Sequence, residues 1–246
     1  LAKAFPASKR LFMTATPRIV TPAALSRATD NGFSVASMDD EKVFGPELFS
    51  FSFGEAIAGG WLSDFKVVVS FTTDAEAKAM IDAGTFVDVE GVRTAEELAK
   101  ALITAKAAKD HGLSQMISYH SRIRRAAEFA KTVEGIAGRG VAGVPSDVHA
   151  ETVDGTMSAG ERSAKLKRLA DSGSEFALLS NAQCLTEGID VVSLDAVAFV
   201  DPRQSEVDIV QAVGRAIRKS PDKSAGYVVI PVVCSEADAV AGKLNA

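Results

Sequence analysis

The sequence predicts an α/β protein: a three-layer domain with a mainly parallel sheet over roughly residues 67–234, preceded by a connector and followed by a tail, 235–246. Two observations carry this. Apolar runs of strand length recur along the chain, and amphipathic helical stretches separate them, which is the pattern of βαβ units. Two of the helical stretches open with a capping-box signature, Thr94-Ala-Glu-Glu and Ser158-Ala-Gly-Glu161, in which a hydroxyl and a carboxylate satisfy the first free amides of a helix.

Taken in order, residues 9–20 read as a short buried strand, Leu11 to Met13, that runs into Thr14-Ala-Thr-Pro. Pro17 lacks an amide hydrogen and disfavours helix at Thr16, so the strand stops there. After a polar stretch from Ser26 to Asp40, Phe49, Phe51 and Phe53 alternate like an edge strand. Gly59 and Gly60 mark a helix end before Trp61 to Phe65, and this region reads as a connector between domains. The expected strands of the main domain are Val67–Phe71, Gln115–Tyr119, Val148–Val153, Phe176–Ser180, Ala196–Val200 and Tyr227–Val233. The expected helices between them run from Thr94 to about His111, Ser121 to Gly138, and Ser158 to about Ala170.

The chain of 246 residues carries a net charge of −5, so no overall basic field attracts nucleic acid, and any such binding needs a local surface. Three scattered histidines and two distant cysteines show no zinc spacing, which points to a reduced, cytoplasmic protein without a metal site. No apolar run approaches the roughly 20 residues that span a bilayer, so no membrane partner is expected. Starting at Leu1, the chain reads as a piece of something longer.

The chemistry-bearing residues cluster after strands and near the end. In a parallel sheet the carboxyl ends of the strands share one rim, where ligands bind. His120 and Ser121 follow one strand, Asn181 to Asp190 another, and Asp201-Pro-Arg203-Gln204 a third. Within the second of these, Gly188 permits close approach of a ligand, Asp190 suits a ribose hydroxyl, and Thr186 suits a phosphodiester. On a helix, Gln211, Arg215 and Arg218 share one stripe opposite Ala212, Val213, Ala216 and Ile217. Two always-charged guanidiniums one turn apart make a clamp for polyphosphate oxygens.

Thr14-Ala-Thr-Pro, Thr186-Glu-Gly-Ile-Asp190 and Gln211-Ala-Val-Gly-Arg-Ala-Ile-Arg218 resemble, in order, motifs III, V and VI of superfamily-two helicases. Ile117-Ser-Tyr-His-Ser-Arg122 looks like motif IV, and the style is similar to DEAD/DEAH-like helicases related to restriction-enzyme translocating subunits. The resemblance implies a C-terminal RecA-like lobe after residue 66, with 1–66 forming the end of a first lobe and the connector. It implies that Arg218 is an arginine finger for ATP, supported by Arg215 and Gln211, and that Gly188 and Asp190 border the nucleotide. It implies nucleic-acid contacts from Thr186, His120, Ser121 and Arg122, and coupling through Thr14 and Thr16. Gln211 in place of a histidine tilts the expected nucleic acid towards DNA. ATP and Mg²⁺ would be held mainly by the first lobe of the same full-length chain.

This sequence contains no Gly-x-x-x-x-Gly-Lys-Ser/Thr, and no Asp-Glu box precedes Thr14. Part of an ATP-dependent enzyme is therefore expected, inactive as an isolated piece. The alternative is a non-catalytic α/β module whose arginines hold a phosphorylated ligand or a partner protein.

Overall fold

A computed structural model describes residues 7–14, 16–73, 95–182, 184, 194–203, 205–220 and 223–234. The chain divides into two compact units, 1–52 and 53–246.

The smaller unit holds two helices. Helix α1, Pro22–Asp30, starts with a proline whose missing amide hydrogen costs nothing at that position. Helix α2, Glu41–Phe44, is capped by the Asp40 carboxylate, which accepts from the Lys42 amide at 3.0 Å. The Phe12 and Phe44 rings meet edge-on at 4.9 Å. The expected strand at Leu11–Met13 is absent: these residues carry no regular structure, and Leu11 and Met13 are 68% and 85% exposed. The expected edge strand through Phe49, Phe51 and Phe53 is absent too. Phe49 and Phe51 stack on each other, and Phe53 opens a helix. The physical reason is the same in both cases, because alternation makes a strand only where a neighbour completes the backbone ladder. Among the described residues neither segment has one.

The larger unit opens with helix α3, Phe53–Ala58, then enters the sheet as β1, Asp64–Thr73. The remaining elements are α4 (Ala95–Asp110), β2 (Gln115–His120), α5 (Ile123–Gly138), β3 (Val148–Asp154), α6 (Ala159–Ala170), β4 (Phe176–Ala182), β5 (Ala196–Phe199), α7 (Glu206–Ala216) and β6 (Ala225–Cys234). The six strands form one sheet in the order β1-β6-β5-β2-β4-β3, and every pair is parallel. Central strands are buried on both faces, which explains the unbroken apolar run of β4.

One face of the sheet packs Met116, Leu178 and Val229 against Leu98, Leu102, Phe129, Val133 and Ile136 of α4 and α5. The other packs Ile117, Leu179, Val197 and Val228 against Leu166 and Leu169 of α6 and Ala212, Val213 and Ala216 of α7. Fully burying one such side chain stabilises the fold by roughly 1.5–3 kcal/mol. The capping box that opens α6 is formed as expected: Ser158 Oγ accepts from the Glu161 amide, and Glu161 Oε2 accepts from the Ser158 amide. Thr94, which would open α4, lies outside the described residues.

The end of α7 is held from three sides. Leu62 and Arg218 form an antiparallel bridge, and the Ser63 amide donates to the Ile217 carbonyl at 2.8 Å. Lys219 Nζ reaches the Gly60 carbonyl at 2.7 Å, and Lys223 Nζ bonds the carbonyls of Leu194 and Ala216. Beneath it, Gly226 of β6 lies so close that a Cβ there would stand 2.3 Å from the Ala216 carbonyl oxygen.

Candidate functional site

The carboxyl ends of β2 and β5 meet in a hydrogen-bonded cluster. Residues 121 and 122 turn the chain from β2 into α5, and Asp201 follows β5. The two strands are neighbours, so the turn and the carboxylate are brought together across eighty residues of sequence. Asp201 Oδ2 accepts from the Ser121 amide at 2.8 Å and from its hydroxyl at 2.6 Å, while Oδ1 accepts from Arg125 Nη1 at 2.9 Å. Burial alone would raise the Asp201 pKa. The two Ser121 bonds and the Arg125 charge outweigh that and hold the carboxyl below its ordinary value.

His120 sits beneath this cluster with a ring only 1% exposed. Its Nε2 shares a hydrogen bond with Ser118 Oγ at 2.9 Å, Ser118 Oγ in turn meets Ser180 Oγ, and the Phe129 ring packs 4.8 Å away. Burial drives the imidazole pKa down to about 4 against the pull of Asp201, so the ring is neutral at pH 7. The His120 ring is therefore enclosed against Phe129, and the exposed residues of the expected contact are Ser121 and Arg122. Its ring points into the layer of α5, where it packs on Phe129. The solvent-open pocket of about 610 Å³ beside it is lined by Lys100, Arg125, Phe129 and Asp201 among others. Its cations are already matched, Lys100 by Glu96 and Arg125 by Asp201.

Ser121 and Arg122 are exposed. Arg122 is the N-cap of the sixteen-residue α5, where it supplies no side-chain cap bond, and no acidic residue lies in the first turn. Arg124 pairs with Glu128 on the same helix. Oriented amides at a helix N-terminus favour an anion, and flanking arginines reinforce that field.

A second cluster lies on the α6/α7 face. The Arg203 guanidinium stands 5.3 Å over the Tyr119 ring, donates to the His120 carbonyl at 3.4 Å and approaches Asp208 of α7 at 3.8 Å. Arg215 is 6% exposed and donates to the Gln211 carbonyl at 3.4 Å. Burial raises the Tyr119 phenol pKa, and the neighbouring Arg215 and Arg203 charges oppose the rise. Gln211 is half-buried, as is Arg218.

The open stripe of Gln211, Arg215 and Arg218 therefore needs correction. Helix α7 stops at Ala216, with Ile217 as its C-cap, and Arg218 continues in an extended bridge with Leu62. Arg215 is buried, and its charge acts on the Tyr119 phenol beside it. The Leu62 bridge precedes Asp64, which pairs with Ala225 at the start of two parallel strands. The Arg218 backbone thus sits at the amino edge of the sheet, opposite the rim that carries Ser121 and Arg122.

Thr186, Gly188 and Asp190 lie outside the described residues. Just before them, Asn181 Oδ1 accepts from the Cys184 amide and thiol at 3.3 and 3.1 Å. In the smaller unit, Thr14 and Thr16 bond each other: the Thr14 hydroxyl donates to the Thr16 carbonyl and accepts from its amide. Asp201 and Arg203 are the contacts that residue patterns alone did not assign, although their place directly after a strand was the available signal. Among the described residues, no set of three or more His, Cys, Asp or Glu side chains is arranged to hold a metal.

Comparison with known proteins agrees with this architecture. Residues 95–220 match the family model described as the helicase conserved C-terminal domain. "Probable helicase A859L" of African swine fever virus (isolate Tick/South Africa/Pretoriuskop Pr4/1996) is 27% identical over 233 residues, 93% of this chain and 23% of the viral protein. The chain thus spans about a quarter of the length of the curated relatives it matches. The ATP-dependent Type ISP restriction-modification enzyme LlaBIII, in a structure bound to DNA, superposes with a TM-score of 0.69 at 27% identity, covering 82% of this chain and 14% of that one. A fragment assigned as an HsdR subunit of a type I restriction enzyme from Vibrio vulnificus YJ016 shares the fold, with a TM-score of 0.55 at 19% identity over 81% of this chain and 38% of that one. With the family model covering more than half of its residues and a six-stranded parallel RecA-like sheet to match, this chain belongs to the helicase conserved C-terminal domain family, as the C-terminal lobe of a superfamily-two helicase-type protein.

Proposed function

We propose that this lobe works in an ATP-dependent DNA helicase or translocase, gripping the nucleic-acid backbone at the β2–α5 turn and offering Arg218 to the phosphates of ATP. The observation that carries the reading is the exposed start of α5, where Ser121, Arg122 and helix amides without a side-chain cap face solvent on a chain whose net charge is −5. Such a local site suits phosphate, the sequence-independent part of nucleic-acid binding. DNA is favoured over RNA because LlaBIII, similar to this chain at 27% identity, was captured on DNA. Thr186 would add a backbone contact, Gly188 and Asp190 would border the nucleotide, and Thr14 and Thr16 would couple nucleotide and strand.

In phosphoryl transfer the protein supplies position and charge, and an arginine delivered across a cleft contributes on the order of 10³-fold or more. Arg218 would supply that charge, with Arg215, fixed against Tyr119, and Gln211 holding the end of α7 in place. Mg²⁺, when bound, neutralises charge on the phosphate oxygens. Because this sequence contains no Gly-x-x-x-x-Gly-Lys-Ser/Thr, we assign Mg²⁺ and most ATP contacts to a first RecA-like lobe of the same full-length protein. The cytoplasm suits both free thiols, Cys184 and Cys234.

The test uses the complete two-lobed protein. Arg218→Ala should reduce DNA-stimulated ATP hydrolysis by about 10³-fold while DNA affinity stays within about twofold. Unimpaired hydrolysis refutes the arginine-finger role, and loss of folding assigns the Arg218 side chain a structural role instead. The isolated chain should not turn over ATP.

A further inference from the structure

The turn proposed to contact nucleic acid is a short link between β2 and α5, and Ser121 within it is bonded from outside the turn. What holds it comes from another strand. The Asp201 carboxylate takes the Ser121 amide and hydroxyl on one oxygen and the Arg125 guanidinium on the other. Three donors on two oxygens is a pattern only an ionised carboxylate satisfies, because an amide would turn an NH₂ group towards one of the donors. Asp201 is 5% exposed and stands two residues past the end of β5, so the sheet fixes its position. Arg125 is thereby drawn back towards Asp201, and Arg122 follows Ser121 in the turn, exposed.

We infer that Asp201 is a positioning residue for nucleic-acid binding: it touches no phosphate itself and sets the shape of the Ser121–Arg122 turn that does. The inference rests on the nucleic-acid reading above and adds a residue to it. It also reverses the ordinary electrostatic expectation. A carboxylate near a phosphate track repels the ligand, so its neutralisation should tighten binding if charge were all that mattered. A positioning role demands that neutralisation weaken binding.

The experiment compares the affinity of the complete protein for a labelled DNA strand at about 50 and about 200 mM salt. Wild type, Asp201→Asn, Ser121→Ala, the double variant and Arg122→Ala are measured side by side. Asp201→Asn is expected to weaken binding by about 5- to 10-fold, the scale of one hydrogen bond's net contribution. The double variant should bind no worse than the weaker single variant, since both changes break one arrangement. Unchanged or tighter binding by Asp201→Asn, or losses that add, overturns the role. If Asp201→Asn does not fold, the wild type decides through amide exchange. A slowly exchanging Ser121 amide supports the anchor, and exchange at the rate of an open turn overturns it. Failure of the underlying reading looks different: wild type then shows no DNA affinity, or Arg122→Ala binds like wild type at both salt concentrations.

Discussion

Gly226→Ala puts the packing of α7 on β6 to a direct test. The added Cβ would meet the Ala216 carbonyl oxygen at 2.3 Å, its carbon at 2.8 Å and Ile217 Cγ2 at 3.2 Å, where ordinary contact begins at 3.4 Å. The two closest atoms are backbone, so no rotamer change relieves the clash, and the helix end has to retreat by roughly 1 Å. Overpacking of this kind costs about 1–3 kcal/mol. Retreat also strains the Lys223 bond to Ala216 and the Ser63 bond to Ile217, each contributing about 1 kcal/mol. A total of about 3–5 kcal/mol should lower the melting temperature by roughly 10 °C in a domain of this size. Urea unfolding and thermal melts of the 246-residue chain measure it. Gly160→Ala, in the first turn of α6 with nothing within 4 Å, is the control and should be neutral or slightly stabilising. A Gly226→Ala variant within about 0.5 kcal/mol of wild type would refute the close approach.

Three further outcomes are expected. His120 has a folded pKa of about 4 against an ordinary 6.5, so the unfolded chain binds the extra proton and stability falls as pH drops through that window. Wild type should lose roughly 3 kcal/mol more than His120→Gln between pH 7 and pH 4, and parallel pH curves would contradict a buried neutral ring. Ser158→Ala removes one half of the α6 capping box and should cost about 1 kcal/mol in urea unfolding; no change would mean the cap contributes nothing. Burial pushes the Cys184 thiol from 9.0 up to about 11, so its labelling by iodoacetamide at pH 7, followed by mass spectrometry, should run about 100-fold slower than that of an exposed cysteine. Equal rates would show that the thiol is not desolvated.

The strands of the sheet were legible because a parallel strand covered on both faces has to be apolar throughout, as Phe176 to Leu179 are. Its start was less so: β1 begins at Asp64, three residues before the apolar run, because pairing with β6 extends past the residues that need burial. Local chemistry was equally readable where it is local, as in the Ser158–Glu161 box. The errors share one cause. Leu11–Met13 and Phe49–Phe53 carry the right side-chain pattern for strands, but pairing partners are a tertiary fact. Arg215 and Asp201 follow the same logic at the candidate site. Helical spacing put Arg215 on a polar stripe of α7, but its burial beside Tyr119 depends on a neighbouring strand that spacing does not reveal. The Asp201 anchor joins residues eighty positions apart, a distance at which spacing carries no signal. The amino-edge placement of Arg218 depends on α7 ending at Ala216, two residues before the arginine.

That early ending gives residues 60–63 a second role. The segment through which the chain enters the sheet is bonded at Gly60, Leu62 and Ser63 to Lys219, Arg218 and Ile217. Tension on the entry segment is therefore delivered to the backbone of Arg218 before it reaches any strand. Conversely, whatever pulls on that guanidinium tugs first on the chain's point of entry. The arginine and the entry segment thus share one hydrogen-bonded backbone junction at the amino edge of the sheet.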